Sequence, residues 1–413
     1  MSTTERRLWR LAAWLLATLT PAIGPAQPLR LQLPPAAQIQ ADANEVVDAR
    51  QIVVLALSAA DADRLLAQAL PRSYRLQRRE TLQALSLHLL VLQMPPGMGG
   101  AAAIRELEQL VPGVTAGVNH AFTPAPIAVT PRGRSYANAM IGWPAQGCQA
   151  ELAVGVIDAA LGPSGSGLAG ADLVVKDFTG GRQAQTGHAR MLAQLIAGPG
   201  RLGGVRMFHA AVVADHADRP AVASADAMVS ALNWLAASAV RLVNVSLAGP
   251  YNKLLDQALQ GAVAQGMVVV ASAGNDGADS PPRYPAAFAG VLAVTAVDAA
   301  GQVYANAVRG THIDYAAPGV EVLIDQGARS IYVSGTSVAA PFVTARLAAD
   351  PGIRRARTVD DARALLDLSV RDLGLAGPDP VFGAGLIHMA EPCRPAPRQP
   401  ATPAPTPAAR APG

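Results

Sequence analysis

Residues 242–272 read LVNVSLAGPYNKLLDQALQGAVAQGMVVVAS. Two short apolar runs, Leu242–Leu247 and Met267–Ser272, enclose a stretch with a helical pattern, Lys253–Gln265. The runs carry no charge, as befits strands buried on both faces. Outward from this unit the pattern repeats. Leu152–Ile157, Val205–Val213 and Val291–Val297 read as further strands, and Ala225–Ala239 as a further helix. From about Tyr136 to Met389 strands and helices alternate. That alternation predicts an α/β domain, a parallel sheet covered by helices on both faces in three layers.

Further toward the N-terminus the order changes. Gln51–Leu57 reads as a strand, and Ser58 with Asp61 as a helix start. Ala62, Leu65, Leu66, Ala69 and Leu70 then recur at helical spacing. Apolar stretches near Tyr74–Leu76 and Leu87–Met94, a helix near Ala102–Val111 and a strand near Val114–Phe122 follow. The order βαββαβ over residues 46–122 is that of a small α+β, ferredoxin-like module. Residues 27–45 form a Pro/Gln-rich linker, and 123–135 (TPAPIAVTPRGRS) a second one, exposed to cutting. The main domain is placed at 136–393, and the Pro/Ala-rich tail, 394–413, is expected to be disordered.

Composition narrows the class. Of 413 residues, 51% are hydrophobic and 15% charged, enough apolar surface to exclude wholesale disorder. A net charge of +3, carried partly by arginines at the two ends, leaves no nucleic-acid footprint. Residues 1–26 read as a signal peptide: Arg6, Arg7 and Arg10, an apolar Leu11–Leu19, then Gly24-Pro25-Ala26. That run is short for a membrane span, and no later one reaches about 18 residues. A soluble protein exported to the periplasm or the medium is expected. The two cysteines, Cys148 and Cys393, form no CxxC and can pair in an oxidising compartment; two buried thiols are the alternative.

Three reactive side chains fall at element boundaries of the α/β region. Asp158 ends the strand AVGVID, at the carboxyl edge where such sheets bind ligands. His188 opens a helical stretch, and Ser337 stands at a strand-to-helix junction of small residues. A serine hydroxyl is a poor nucleophile until an imidazole takes its proton. The imidazole in turn needs a buried carboxylate to fix its tautomer. Asn275, just after a hydrophobic strand, supplies a side-chain donor for an oxyanion, beside the Ser337 backbone N–H.

These segments resemble the signatures of the subtilisin-like (subtilase, S8-type) serine peptidases. VGVID resembles the Asp motif, TGHARMLAQLIAG the His motif and SGTSVAAPFVTA the nucleophile motif. VNVSLAGP and VVVASAGNDG resemble the substrate strand and the oxyanion segment, and YPAAF with VLAVTAVD follows as in the family. The order Asp, His, Asn, Ser is the family's, over roughly 136–390. The resemblance implies a serine endopeptidase with Asp158, His188 and Ser337 as its triad and Asn275 at the oxyanion. Ser246, Leu247, Ala248 and Gly249, with Ala271, Ser272, Ala273 and Gly274, would flank the S1 pocket and hold an extended protein or peptide substrate by backbone hydrogen bonds. Residues 46–122 would be a propeptide, both folding aid and inhibitor, in a zymogen cut between about Phe122 and Tyr136. No cofactor is required for the chemistry. Structural calcium is common in the family, but Asp276 and Asp279 are too few to assign a site. A monomer is expected.

Ala189-Arg190 replaces the family's usual Gly-Thr after the histidine, Ala159-Ala160 its Thr-Gly after the aspartate, and Ala248 a common Gly. Arg190 lies about 200° around the helix from His188 and should point away from the imidazole. The departures leave a second reading, a catalytically impaired subtilase fold that binds peptides or acts as a scaffold. Gly165–Gly170 fits GxGxxG but runs into the extended-looking Leu173–Val175, so it reads as a loop and not a dinucleotide site. No G-x-S-x-G elbow, HExxH or Walker pattern occurs. Because catalysis needs neutral imidazole, activity is expected to fall below about pH 6 to 7.

Overall fold

The computed structural model of the chain describes residues 34–35, 45–130, 135–162, 168, 170–184, 187–217, 219–325, 330–389 and 391–396. The signal segment, most of the first linker, most of the Gly165–Gly170 pattern and residues 397–413 lie outside the described residues. All elements below belong to one compact unit, Leu31–Gly413.

The N-terminal module runs β1 (Gln51–Ala56), α1 (Ala59–Ala69), β2 (Arg75–Leu82), β3 (Leu87–Gln93), α2 (Gly100–Leu110) and β4 (Val114–Val118). Its antiparallel sheet has the order β2-β3-β1-β4. Ser58 caps α1, its Oγ accepting from the Asp61 N–H at 3.0 Å. Strand β1 is apolar at nearly every position because both faces are covered. Ile52, Val54 and Ala56 pack on the module's own helices, whereas Val53 and Leu55 join a core shared with the main domain. An antiparallel sheet usually leaves one face wet. Here that face is a docking surface.

The chain continues through β5 (Ala121–Pro124), β6 (Ala128–Thr130), α3 (Ala137–Met140), β7 (Cys148–Gln149), β8 (Val154–Asp158), β9 (Ala171–Asp177), α4 (His188–Ala197) and β10 (Leu202–Gly203). Next come β11 (Val205–Ala211), β12 (Val213–Ala214), β13 (Val222–Ser224), α5 (Ala225–Ala237), β14 (Leu242–Val245), β15 (Leu247–Ala248) and α6 (Lys253–Ala264). The last are β16 (Val268–Ser272), β17 (Val291–Val297), β18 (Tyr315–Pro318), β19 (Val322–Asp325), β20 (Ser330–Ser334), α7 (Thr336–Ala348) and α8 (Val359–Asp367).

Seven parallel strands in the order β18-β17-β16-β14-β8-β11-β9 form the central sheet. Alternation along the strands assigns the faces. Val154, Val156, Val268 and Val270 pack with residues of α4 and α7, while Val243, Val245, Val269 and Ala271 pack with those of α5 and α6. The three-layer α/β architecture follows.

Several boundaries differ from the sequence reading. The run Leu242–Leu247 divides, with β14 in the central sheet and β15 in a smaller sheet of order β12-β13-β5-β15. The run Val114–Phe122 also divides, at Asn119-His120. Residues 123–130, expected to be an exposed linker, are held instead. They complete β5, bury Ala125 to 1% exposure and form β6 on β20. The tail begins later than expected: Gln149 N–H donates to the Arg394 carbonyl at 2.7 Å, and Ala396 N–H to that of Gly147 at 3.2 Å. Beside them Cys148 and Cys393 form a disulfide, with Cα atoms 5.6 Å apart.

Candidate active site

The site lies at the carboxyl rim of the central sheet. Asp158, the last residue of β8, has no exposed surface. Its Oδ1 accepts from the Ala159 N–H at 2.7 Å and lies 2.8 Å from His188 Nδ1. Against an ionised carboxylate Nδ1 carries the hydrogen, which leaves the lone pair on Nε2. Asp158 Oδ2 is buried without a hydrogen-bond partner among the described residues. His188 is the first residue of α4, after Gly187 at φ +74°, a left-handed backbone that glycine adopts without strain.

His209, on neighbouring β11, is also fully buried, and its Nε2 donates to the Ala159 carbonyl at 2.7 Å. Burial pushes its pKa down, so it stays neutral and adds no second positive charge beside Asp158. Arg190 directs Nε to the Leu161 carbonyl at 3.2 Å, in the loop after Asp158.

Ser337 stands in the first turn of α7, buried, and α7 packs against α4. Its Oγ donates to the Ala125 carbonyl at 3.4 Å. A Cβ on the preceding Gly335 would sit 3.0 Å from Asn275 Nδ2, 3.1 Å from Pro126 O and 3.3 Å from Ser337 Oγ, so a side chain there would fill the place where these groups converge. Asn275 Nδ2 donates to the Pro126 carbonyl at 2.8 Å. The amide is oriented by Thr336, whose N–H and Oγ1 both donate to Asn275 Oδ1, at 3.0 and 2.8 Å. Thr336 Oγ1 in turn accepts from the Gly274 N–H at 3.1 Å. Sequence reasoning missed Thr336. Its place inside the nucleophile motif was the available signal.

The two expected substrate segments behave differently. Ser246 accepts from the Ala125 N–H at 3.3 Å, Leu247 and Ala248 pair antiparallel with Pro124 and Thr123, and a Cβ on Gly249 would collide with the Phe122 ring. Residues 121–124 therefore lie as a strand between β13 and β15, with Phe122 opposite Ala223. Ala271–Gly274 does not offer its N–H groups in the same way. Ala271 and Ser272 are paired inside the central sheet, the Ala273 N–H goes to Val294, and that of Gly274 to Thr336. These bonds also fix the backbone that leads into Asn275.

No group of three or more His, Cys, Asp or Glu side chains among the described residues is arranged to hold a metal ion, and Asp276 instead faces Arg283 at 3.5 Å.

A carboxylate–imidazole pair at a sheet rim, with a serine at a helix start under an oriented amide, is the set of groups that serine hydrolases use. The model of the peptidase S8 group described as the subtilase family matches residues 173–385, more than half of the chain, and the chain belongs to that family. Over 169 residues it is 33% identical to the minor extracellular protease Epr of Bacillus subtilis, covering 39% of this chain and 25% of that protein. Over 168 residues it is 32% identical to subtilisin DY of Bacillus licheniformis, covering 40% and 60%. The chain thus matches a quarter of the first of these relatives and 60% of the second. Fervidolysin of Fervidobacterium pennivorans shares the fold with TM-score 0.68 at 19% identity, over 82% of this chain and 60% of that one. The epidermin leader peptide processing protease of Staphylococcus aureus does so with TM-score 0.62 at 15% identity, over 82% and 98%.

Proposed function

We propose that this chain is an exported serine endopeptidase, made as a zymogen whose inhibitor is its own N-terminal module. One observation carries the reading: residues 121–126 enter the cleft as an extended strand and meet Ser337 Oγ and Asn275 Nδ2 at their carbonyls. Strand addition supplies affinity through main-chain hydrogen bonds, so the site suits peptides of varied sequence.

In the reaction Ser337 Oγ attacks the carbonyl carbon and gives its proton to His188 Nε2. The carbonyl oxygen takes the electron pair, stabilised by Asn275 Nδ2 and the Ser337 N–H. On collapse the C–N bond breaks, and His188 passes the proton to the leaving amine. A water, deprotonated by His188, then hydrolyses the acyl-enzyme. Asp158 stays ionised and holds the imidazole in its tautomer.

Export is supported by the signal-like start and by the extracellular relative. No helix among the described residues is long and apolar enough to cross a membrane. The module's role is supported by its docking on α5 and α6. Arg78 Nη2 donates to Asp226 Oδ2 at 2.6 Å, Ser230 Oγ to Glu80 Oε2 at 2.7 Å, and the Ala84 N–H to Asn233 Oδ1 at 3.0 Å. Every group of the site comes from one chain, so a monomer suffices.

A fluorophosphonate probe tests the assignment, because it labels only an activated serine. The matured protein should label at Ser337 and hydrolyse casein, and Ser337→Ala should abolish both. Casein hydrolysis that survives Ser337→Ala overturns the assignment. Tight peptide binding without labelling would make the chain a binding protein.

A further inference from the structure

We propose that Pro126 makes residues 122–130 an occupant that the site holds but does not cut, because the segment presents two successive carbonyls to groups that must act on one. The inference rests on the peptidase reading and adds to it the identity of a bond that resists cleavage.

Two anchors set the segment's register. On the N-terminal side the Phe122 ring, with no exposed surface, fills the space left by the missing side chain of Gly249. From there Thr123 faces Ala248, Pro124 faces Leu247, and the Ala125 N–H reaches the Ser246 carbonyl. That register brings the Ala125 carbonyl to Ser337 Oγ. On the C-terminal side β6 pairs with β20, Ala128 facing Ser334, Val129 facing Val333 and Thr130 facing Tyr332. Between the anchors, the oxyanion donor Asn275 holds the carbonyl of Pro126, one residue beyond the carbonyl that Ser337 faces.

Acyl transfer requires that the attacked carbon and the stabilised oxygen belong to the same carbonyl. Here they do not. Moving the segment back by one residue would present Pro126 to Ser337, but a one-residue slip turns every side chain of a strand to the opposite face. Phe122 would leave its seat, and position 126 would face the Ser246 carbonyl without an N–H to give. Moving only the Ala125 carbonyl into the oxyanion site meets a second obstacle. The leaving nitrogen would be that of Pro126, where a ring carbon stands in place of the amide hydrogen, beside the path by which His188 must deliver its proton. The anchors therefore hold the segment while Pro126 protects both bonds that flank it.

The test compares the full chain with Pro126→Ala, reading new N-termini by mass spectrometry over a time course. In the wild type no product begins at position 126 or 127. In Pro126→Ala the bond after Ala125 is cut at least 10-fold faster than in the wild type, and Pro126→Ala combined with Ser337→Ala abolishes the product. A synthetic peptide spanning 120–131, added to the matured enzyme, avoids any dependence on the variant's folding. The native peptide inhibits competitively and stays intact, whereas its Pro126→Ala form is cut after Ala125. A wild-type product starting at 126 or 127 overturns the proposal. So does a Pro126→Ala peptide left intact by enzyme that hydrolyses casein and labels at Ser337, and that outcome leaves the peptidase reading standing. Absence of both cutting and labelling removes the peptidase reading, and the proposal with it.

Discussion

Asn275 has two oxygen-side hydrogen bonds from Thr336 and one nitrogen-side bond to a peptide carbonyl, so its amide cannot turn over without losing all three. Orientation fixed in advance is what gives an oxyanion donor its value, since nothing need reorganise as charge develops. Asn275→Ala should lower kcat by about 10²- to 10³-fold with little change in KM. Thr336→Val should reproduce part of that loss, and Thr336→Ser, which keeps the hydroxyl, should recover most of it; steady-state kinetics on a peptide ester would decide. A Thr336→Val enzyme with unchanged kcat would mean that Asn275 is oriented by something else. Asp158, His188 and Ser337 were legible as candidates because each stands at an element boundary, one of them, His188, directly after a glycine. The supporting part of Ala271–Gly274 was not legible. Sequence reveals an apolar strand but not which of its N–H groups are already engaged.

At the scale of elements, the module docks through strands that end at the cleft, and its last turn carries a half-buried histidine, His120. His120 Nδ1 accepts from Asn252 Nδ2, the side chain that also caps α6, at 3.0 Å. Burial pushes the His120 pKa down to about 4, against the opposing pull of Glu45. Above pH 6.5 the imidazole is neutral whether the module is docked or not, and the group has no effect. Between pH 6.5 and 4 only the undocked or unfolded chain takes up the proton, so stability falls with pH across that window, by at most about 3 kcal/mol. Urea midpoints of the Ser337→Ala chain at pH 7 and pH 5 should show the fall, and His120→Gln should reduce it, with His209 and His312, whose pKa values burial also lowers, carrying the remainder. Gly249→Ala belongs to the same scale. A Cβ there collides with the Phe122 ring, so the variant should release the segment and raise the initial rate on added peptide several-fold. Most elements were legible from periodicity, and α4, α5 and α6 fall within a few residues of their patterns. The linker was not. Pro, Ala and Thr in 123–130 carry little hydrophobic signal of their own, and that segment becomes a strand only because two other strand edges are waiting for it.

At the scale of the molecule, the disulfide closes the main domain on itself across 245 positions. Removing that constraint frees a long loop in the unfolded chain, at an upper bound of about 5 kcal/mol. Cys393→Ser should lower stability by about 2 to 5 kcal/mol in calorimetry without changing kcat, since neither sulfur lies at the sheet rim. The element order βαββαβ of the small module and the strand–helix alternation of the larger α/β part were readable in the sequence. That the two share one core was not, because a face covered by another domain and a face covered by the module's own helices look alike in sequence.

Strand β5 reaches the cleft on the same chain that builds it. For a tethered occupant, concentration is set by the linker and not by the flask, and for short linkers it is on the order of millimolar. A peptide arriving from solution at micromolar concentration therefore starts roughly a thousandfold behind, before any difference in intrinsic affinity. Diluting the whole protein does not alter the tethered concentration, so the strand keeps its place however sparse the protein is. Only severing the tether and then diluting the freed fragment changes the odds.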